Sequence, residues 1–156
     1  GLYNAPAISA NINISDGEYD KIQFNDLHID LSDSIPENSK YFDYKNHLIN
    51  IKKFKLIKNG HYHFEGNGTF PLYSNGEIDI DLNFDGDILS LIPDWSEFIV
   101  DGASFSTISL KVAGTPDKPR ILEGNVEIER GELWLDDVAE HIDELSGKIY
   151  ISPGSN

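Results

Sequence analysis

The stretch Glu77-Ile78-Asp79-Ile80-Asp81-Leu82-Asn83-Phe84-Asp85 decides how this chain is read. Successive side chains of an extended backbone point to opposite faces, so Ile78, Ile80, Leu82 and Phe84 share one face and Asp79, Asp81, Asn83 and Asp85 the other. That is a strand with one apolar and one charged side. The same alternation runs through residues 8–14, with Ile12 and Ile14 inward, and 27–31, with Leu27, Ile29 and Leu31 inward. It recurs in 106–112 (Ile108, Leu110, Val112), in 122–128 (Val126, Ile128) and in 148–151 (Ile149, Ile151).

Asn59-Gly60 is the strongest turn signal, because Asn-Gly supplies the two positive-φ residues of a type I′ hairpin turn. Its arms are residues 48–58 and 61–70, and the first arm changes face between Ile51 and Phe54, which predicts a bulge or bend. Asp16-Gly17, Asn75-Gly76, Asp85-Gly86, Asp101-Gly102 and Arg130-Gly131 read as further turns, and Pro116 to Pro119 as a rigid crossing between strands. The pattern gives about nine strands, an all-β arrangement. Only Ile88, Ile92 and Trp95, and Val138, Ile142 and Leu145 after Asp136 or Asp137, have helical spacing. Each predicts one or two turns over the end of a sheet.

The chain has 156 residues, 39% hydrophobic and 25% charged, which is globular composition for a single domain. Asp and Glu number 27 against 12 Lys and Arg, a net charge of −15, which repels phosphate backbones and argues against nucleic acid and anionic lipid surfaces as partners. With no Cys there is no disulfide framework, thiolate nucleophile or Cys-based zinc site. With no Met either, Gly1 is expected to be a processed or cut end, and the chain an excised piece of a longer protein. It contains no apolar run long enough to cross a membrane as a helix.

The two ends of the chain resemble each other. Asn11-Ile12-Asn13-Ile14-Ser15-Asp16-Gly17-Glu18-Tyr19 aligns with Asn125-Val126-Glu127-Ile128-Glu129-Arg130-Gly131-Glu132-Leu133 at an offset of 114, and Pro6-Ala7-Ile8 with Pro119-Arg120-Ile121. The reading is one repeat unit (5–118) and the start of the next (119–152), within a single 1–156 segment. Charge is uneven too: residues 38–64 hold Lys40, Lys45, Lys52, Lys53, Lys55 and Lys58 against Asp43, a patch of +5 that leaves −20 elsewhere. Residues 121–147 hold nine acids against Arg130. Solvated outer faces that discourage edge-to-edge aggregation explain this; the sharper reading sets the lysine strand against the acidic segment.

Chemistry is hard to find. Asp81-x-Asn83-x-Asp85-Gly86 fits the first half of an EF-hand loop, but the position that needs a bidentate Glu falls on Ile92 and no helix leads in. His61-x-His63 puts two imidazoles on one strand face without a third ligand, while His28, His47 and His141 stand apart from any such spacing. Ser104, Ser106 and Ser109 are strand residues with no marked partner, and no nucleophile elbow, P-loop or dinucleotide fingerprint occurs. Asn13-Ile14-Ser15 and Asn67-Gly68-Thr69 fit the glycosylation sequon. No metal, no cofactor and no enzymatic activity are expected. Trp95, Trp134, Tyr62, Phe64 and Phe70 offer either core or a carbohydrate or lipid contact surface.

One resemblance is specific. The run Leu110-Lys111-Val112-Ala113-Gly114-Thr115-Pro116-Asp117-Lys118-Pro119-Arg120-Ile121, followed by Gly124-Asn125-Val126-Glu127-Ile128-Glu129-Arg130-Gly131-Glu132-Leu133, resembles the repeat of the AsmA-like and TamB proteins. There a strand ends in Gly-Thr, an Asp-x-Pro turn follows, and a strand-turn-strand pair restarts the next unit. Ile142-Asp143-Glu144-Leu145-Ser146-Gly147-Lys148-Ile149 is similar to the closing segment of that motif, and residues 6–31 repeat it more loosely, with Phe24-Asn25-Asp26-Leu27 at the aromatic-acid-leucine step. The Lys-rich hairpin at 45–70 has no counterpart in the family pattern.

The resemblance implies a long antiparallel sheet curled into an open half-pipe, a β-taco, with an apolar interior. It also implies a periplasmic setting, with the parent protein anchored in the inner membrane of a double-membraned bacterium outside this segment. Such a protein conducts phospholipid, or another acyl-chain lipid, towards the outer membrane. An outer-membrane β-barrel partner and a link to outer-membrane protein assembly belong to the same implication. The lipid groove would be lined by Ile12, Ile14, Leu27, Ile29, Leu31, Ile78, Ile80, Leu82, Phe84, Ile108, Leu110, Val112, Val126, Ile128, Ile149 and Ile151. Alternation alone also fits a closed β-sandwich used for adhesion or carbohydrate binding, and a structural spacer or β-strand-binding segment.

Overall fold

The structure, a computed structural model, describes residues 8–19, 22–34, 47–73, 75–94, 98–136 and 141–153. Alternation becomes eight strands: β1 (Ser9–Tyr19), β2 (Ile22–Ser34), β3 (Leu48–Lys58), β4 (Tyr62–Pro71), β5 (Ile78–Gly86), β6 (Ile99–Thr115), β7 (Lys118–Leu135) and β8 (Ile142–Ile151). Each pairs antiparallel with the next, giving one sheet in the order β1 to β8. β1 and β8 are both free edges, so the sheet is an open half-pipe and not a barrel. Among the described residues no second layer covers it, which removes the closed sandwich.

Antiparallel partners point to the same face, so register adds the alternation of single strands into rows across the sheet. One row runs Ile12, Ile29, Phe54, Gly66, Leu82, Leu110, Gly124, Ile151. The next runs Ile14, Leu27, Leu56, Phe64, Phe84, Ile108, Val126, Ile149. A third runs Ala10, Leu31, Ile51, Gly68, Ile80, Val112, Ile121. The opposite face carries Asn13, His28, Lys55, Glu65, Asn83, Ser109, Asn125 and Tyr150 in the same way.

Bulges keep the rows in phase. The pairing of β3 with both neighbours slips between Ile51 and Phe54, where the sequence predicts it, so Ile51 and Phe54 stay on the apolar face. Asp16-Gly17, Asp101-Gly102 and Arg130-Gly131 are not turns. They lie inside continuous strands, with Asp16 at φ 52° and Arg130 at φ 50°, and Arg130 marks a register shift between Ile128 and Gly131. Strands therefore number eight rather than nine, and β6 and β7 reach 17 and 18 residues. The unit boundary read at 118/119 falls at the start of β7, and the sheet crosses it unbroken.

Of the two helical expectations, one becomes a 3-10 helix at Leu89–Asp94, with Trp95 outside the described residues. The other is overturned: Ile142 and Leu145 belong to β8, and Val138 lies outside the described residues. Glu144 at φ 54° adds a residue to β8, so Ile142 pairs with Leu133 and Leu145 with Gly131 on one face. A bulged strand thus imitates the i, i+3 spacing of a helix. The lysine strand does not face the acidic segment within the chain. β3 lies between β2 and β4, with Lys53 opposite Asp30 and Lys55 between His28 and Glu65.

Curling shows where side chains bridge strands that are not neighbours. The Tyr62 hydroxyl on β4 donates to the Gln23 carbonyl on β2 at 2.5 Å, passing over β3. Glycines on the apolar face leave room for this: a Cβ on Gly66 would sit 2.7 Å from Leu82 Cδ2, and one on Gly124 2.6 Å from Leu110 Cδ2. Gly68 combines close approach with φ 146°, a Cβ there meeting the Asp79 carbonyl, whereas Gly147 faces open space. Gly68→Ala is therefore expected to cost about 1–3 kcal/mol, through overpacking and backbone strain. Gly147→Ala is expected to be within about 0.5 kcal/mol of the parent. Urea unfolding of the two variants checks the contrast.

Candidate functional site

The apolar face is the candidate site, and it is an open groove. Its rows run perpendicular to the strands, so the groove axis crosses the sheet from β1 to β8. With strands about 4.8 Å apart, eight of them give a floor roughly 34 Å long. No apolar side chain in the three rows is fully buried, and the exposed ones belong to β1, to β8 and to Ile121. Ile14 is 44% exposed and Ile149 59%, whereas between these mouths Leu27, Leu82 and Leu110 are half-buried by their lateral neighbours.

Burial concentrates where the strands end, along the two rims. Ile78 and Pro71 are buried on one rim, beside His47, whose Nε2 lies 3.2 Å from Asp33 Oδ2. Phe24, Tyr62 and Leu89 are buried on the other. Leu89 seats its side chain on Gly131, where a Cβ would lie 3.0 Å from Leu89 Cδ1, so the 3-10 helix closes the β6–β7 corner. Asp87 holds that helix: its Oδ1 accepts from the backbone N–H of Ser90 at 3.1 Å and of Ser104 at 2.7 Å. The Ser104 hydroxyl in turn lies 2.8 Å from that of Ser106, which is 1% exposed.

All the residues predicted to line a groove fall on this one face. Ile78 is the one that is buried, at the rim. Ile51, Phe54, Leu56 and Phe64 join them from the Lys-rich hairpin, whose register the sequence left open. The clue was there: once the bulge after Ile51 is allowed, Phe54 and Leu56 resume the alternation. Phe54 and Phe64 meet edge-on at 5.4 Å, and Phe64 and Phe84 lie 6.5 Å apart, so the floor at β3 to β5 is aromatic. Between β7 and β8 the floor holds an apolar hollow of about 190 Å³ against Val126, Ile128, Leu145 and Ile149. A larger hollow of about 590 Å³ across β5 to β8 is lined by Leu82, Leu110, Gly124 and Ile151 of the first floor row together with Asp81, Lys111 and Glu123.

The polar motifs resolve into surface pairing. Lys111 lies 3.5 Å from Asp79 and 4.0 Å from Asp81, in the half EF-hand stretch, on the face away from the groove. His63 is 3.5 Å from Glu65, His28 Nδ1 is 2.6 Å from Asn13 Oδ1, and His141 stacks on Trp134 at 5.4 Å. Ser109 donates to Asn83 at 2.8 Å. The partners of Ser104 and Ser106 were missed, although Asp87-x-x-Ser90 has the spacing of a helix N-cap. Lys148 lies 2.5 Å from Glu127, whose hydrogen bond and charge hold its ammonium above the usual lysine range.

Comparison with protein-family models, with curated proteins and with solved structures finds no match. Function is therefore argued from the groove.

Burial holds the Tyr62 hydroxyl above its ordinary pKa of 10.0. The folded state keeps that proton more tightly than the unfolded one, so its stabilisation is complete below pH 10.0 and is lost as pH rises through the raised value. Tyr62→Phe is expected to lose about 0.5–1.5 kcal/mol at neutral pH, from the hydrogen bond to Gln23. It is also expected to show a smaller further loss than the parent above pH 10.0. Urea titrations at pH 7 and at alkaline pH measure both differences.

Proposed function

We propose that this chain is a hydrophobic-groove segment of a periplasmic protein that conducts phospholipid between the inner and outer membranes, as the resemblance to the AsmA-like and TamB proteins implies. The observation that carries the reading is the apolar floor. It runs without a charged side chain through two rows from β1 to β8 and a third from β1 to β7, has no covering layer among the described residues, and is open at both mouths. Each methylene of an acyl chain costs about 0.8 kcal/mol in water, so a tail of about 15 methylenes costs on the order of 12 kcal/mol. A groove of half-buried Ile, Leu, Val and Phe removes most of that cost at every position along its length. Because the rows repeat strand by strand, no position is favoured enough to trap the tail, which suits conduction better than storage.

The outer face supports the same reading. Its rows of Asp, Asn, Lys and Glu keep a single-layer sheet in solution while the inner face stays apolar. Conduction needs no catalytic group, only a continuous apolar floor.

Folded protein is expected to carry phospholipid through purification, seen by native mass spectrometry and by lipid extraction. Leu82→Asp and Leu110→Asp, each placing a carboxylate in the floor, are expected to reduce bound lipid at least tenfold while the protein remains folded by circular dichroism. Absence of lipid from the folded parent by both methods contradicts the proposal.

A further inference from the structure

The sheet contains the same hairpin twice. β1 pairs with β2 through Ala10↔Leu31, Asn11↔Asp30, Ile12↔Ile29, Asn13↔His28 and Ile14↔Leu27. β7 pairs with β8 through Gly124↔Ile151, Asn125↔Tyr150, Val126↔Ile149, Glu127↔Lys148 and Ile128↔Gly147. Each of these five pairs of the first maps onto the matching pair of the second, at offsets of 114 on one strand and 120 on the other. The backbone repeats as well: Asp16 at φ 52° and Arg130 at φ 50°, each followed by glycine, occupy equivalent positions.

The two hairpins differ in what lies beside them. The outer side of β7 is filled by β6, with Ile108 opposite Val126, Ser109 opposite Asn125 and Thr107 opposite Glu127. Among the described residues the equivalent side of β1 is a free edge. Natural edge strands are protected from pairing by charge, proline or bulges, and Ser9–Ser15 has no charged residue and no proline. Its apolar side chains are correspondingly uncovered: Ile12 and Ile14 are exposed, whereas their equivalents Val126 and Ile128 are half-buried.

We propose that the free edge of β1 is a docking site for an extended polypeptide strand of the β6 type, in which Ile, Leu and Val alternate with Ser and Thr. The strand pairs antiparallel in the β6–β7 register. Transferred to β1, that register sets Ile108-type and Leu110-type side chains beside Ile12 and Ala10 and so extends the apolar rows by one strand. Ser109-type and Thr107-type side chains then lie beside Asn11 and Asn13 on the polar face. No like charges meet, because the lysine equivalent to Lys111 falls opposite Ser9. The docked strand is held by main-chain pairing along the edge of β1 and lengthens the groove floor at that mouth, so its binding is read without lipid present.

The test is hydrogen exchange of the full chain with a synthetic peptide of residues 102–114. At a peptide concentration about 100 times its Kd, exchange in residues 9–15 is expected to slow roughly 100-fold, with residues 142–151 unchanged. The same peptide with Ile108→Pro, and a peptide of the lysine-rich β3 segment 48–58, are expected to leave β1 unprotected. No slowing in β1, equal slowing at β8, or equal protection by the β3 peptide each overturns the proposal. Sedimentation showing a head-to-tail oligomer that buries β1 against β8 of a second copy overturns it too.

Discussion

The phase of alternation is the constraint on which everything else here rests. A sheet with a single layer has one apolar face only if every strand enters its neighbour's register with the same parity, because a slip of one residue turns a strand's apolar side chains to water. Eight strands keep that parity through several irregularities. At Ile51 to Phe54, Ile128 to Gly131 and Glu144 the chain inserts a residue and returns to phase. Inserted residues of this kind also bend the strands that carry them.

That constraint explains what the sequence revealed and what it hid. Where alternation is unbroken, as from Ile78 to Phe84, both the strand and its facing are legible. The bulge in β3 was legible too, because Ile51 and Phe54 are both apolar and their spacing is odd. Asp16-Gly17 and Arg130-Gly131 misled because a left-handed residue before glycine is a turn signal, and only the strand across the way shows that the chain runs on: β1 keeps its register past Asp16, whereas β7 bulges at Arg130. Ile142 and Leu145 misled because the residue inserted at Glu144 gives two same-face strand residues the i, i+3 spacing of a helix. The Asp87, Ser104 and Ser106 network stayed hidden since Asp87 lies 17 residues before Ser104 and meets it only through the β5–β6 connection.

Charge follows the same geometry. In the strand rows the charged side chains lie on the outer face, and the lysines of β3 are set among the acids and polar residues of β2 and β4 rather than collected into a surface for an anionic partner. The apolar face is left as the one extended feature without a partner layer. The buried apolar side chains Phe24, Tyr62, Ile78 and Leu89 stand at the rims. Rigidity is thus placed along the two strand-end rims while the floor between them stays accessible, which is what a passage for acyl chains requires.

The most direct test of the open groove is photolabelling with a phospholipid that carries a diazirine along its acyl chain, followed by peptide mapping of the adducts. The account predicts adducts on floor residues of several consecutive strands, among them Leu27, Leu56, Leu82, Leu110 and Val126, with few at polar-face positions such as Lys55, Asn83 and Ser109. Adducts confined to the polar face or to one edge strand, or none on folded protein, would contradict it.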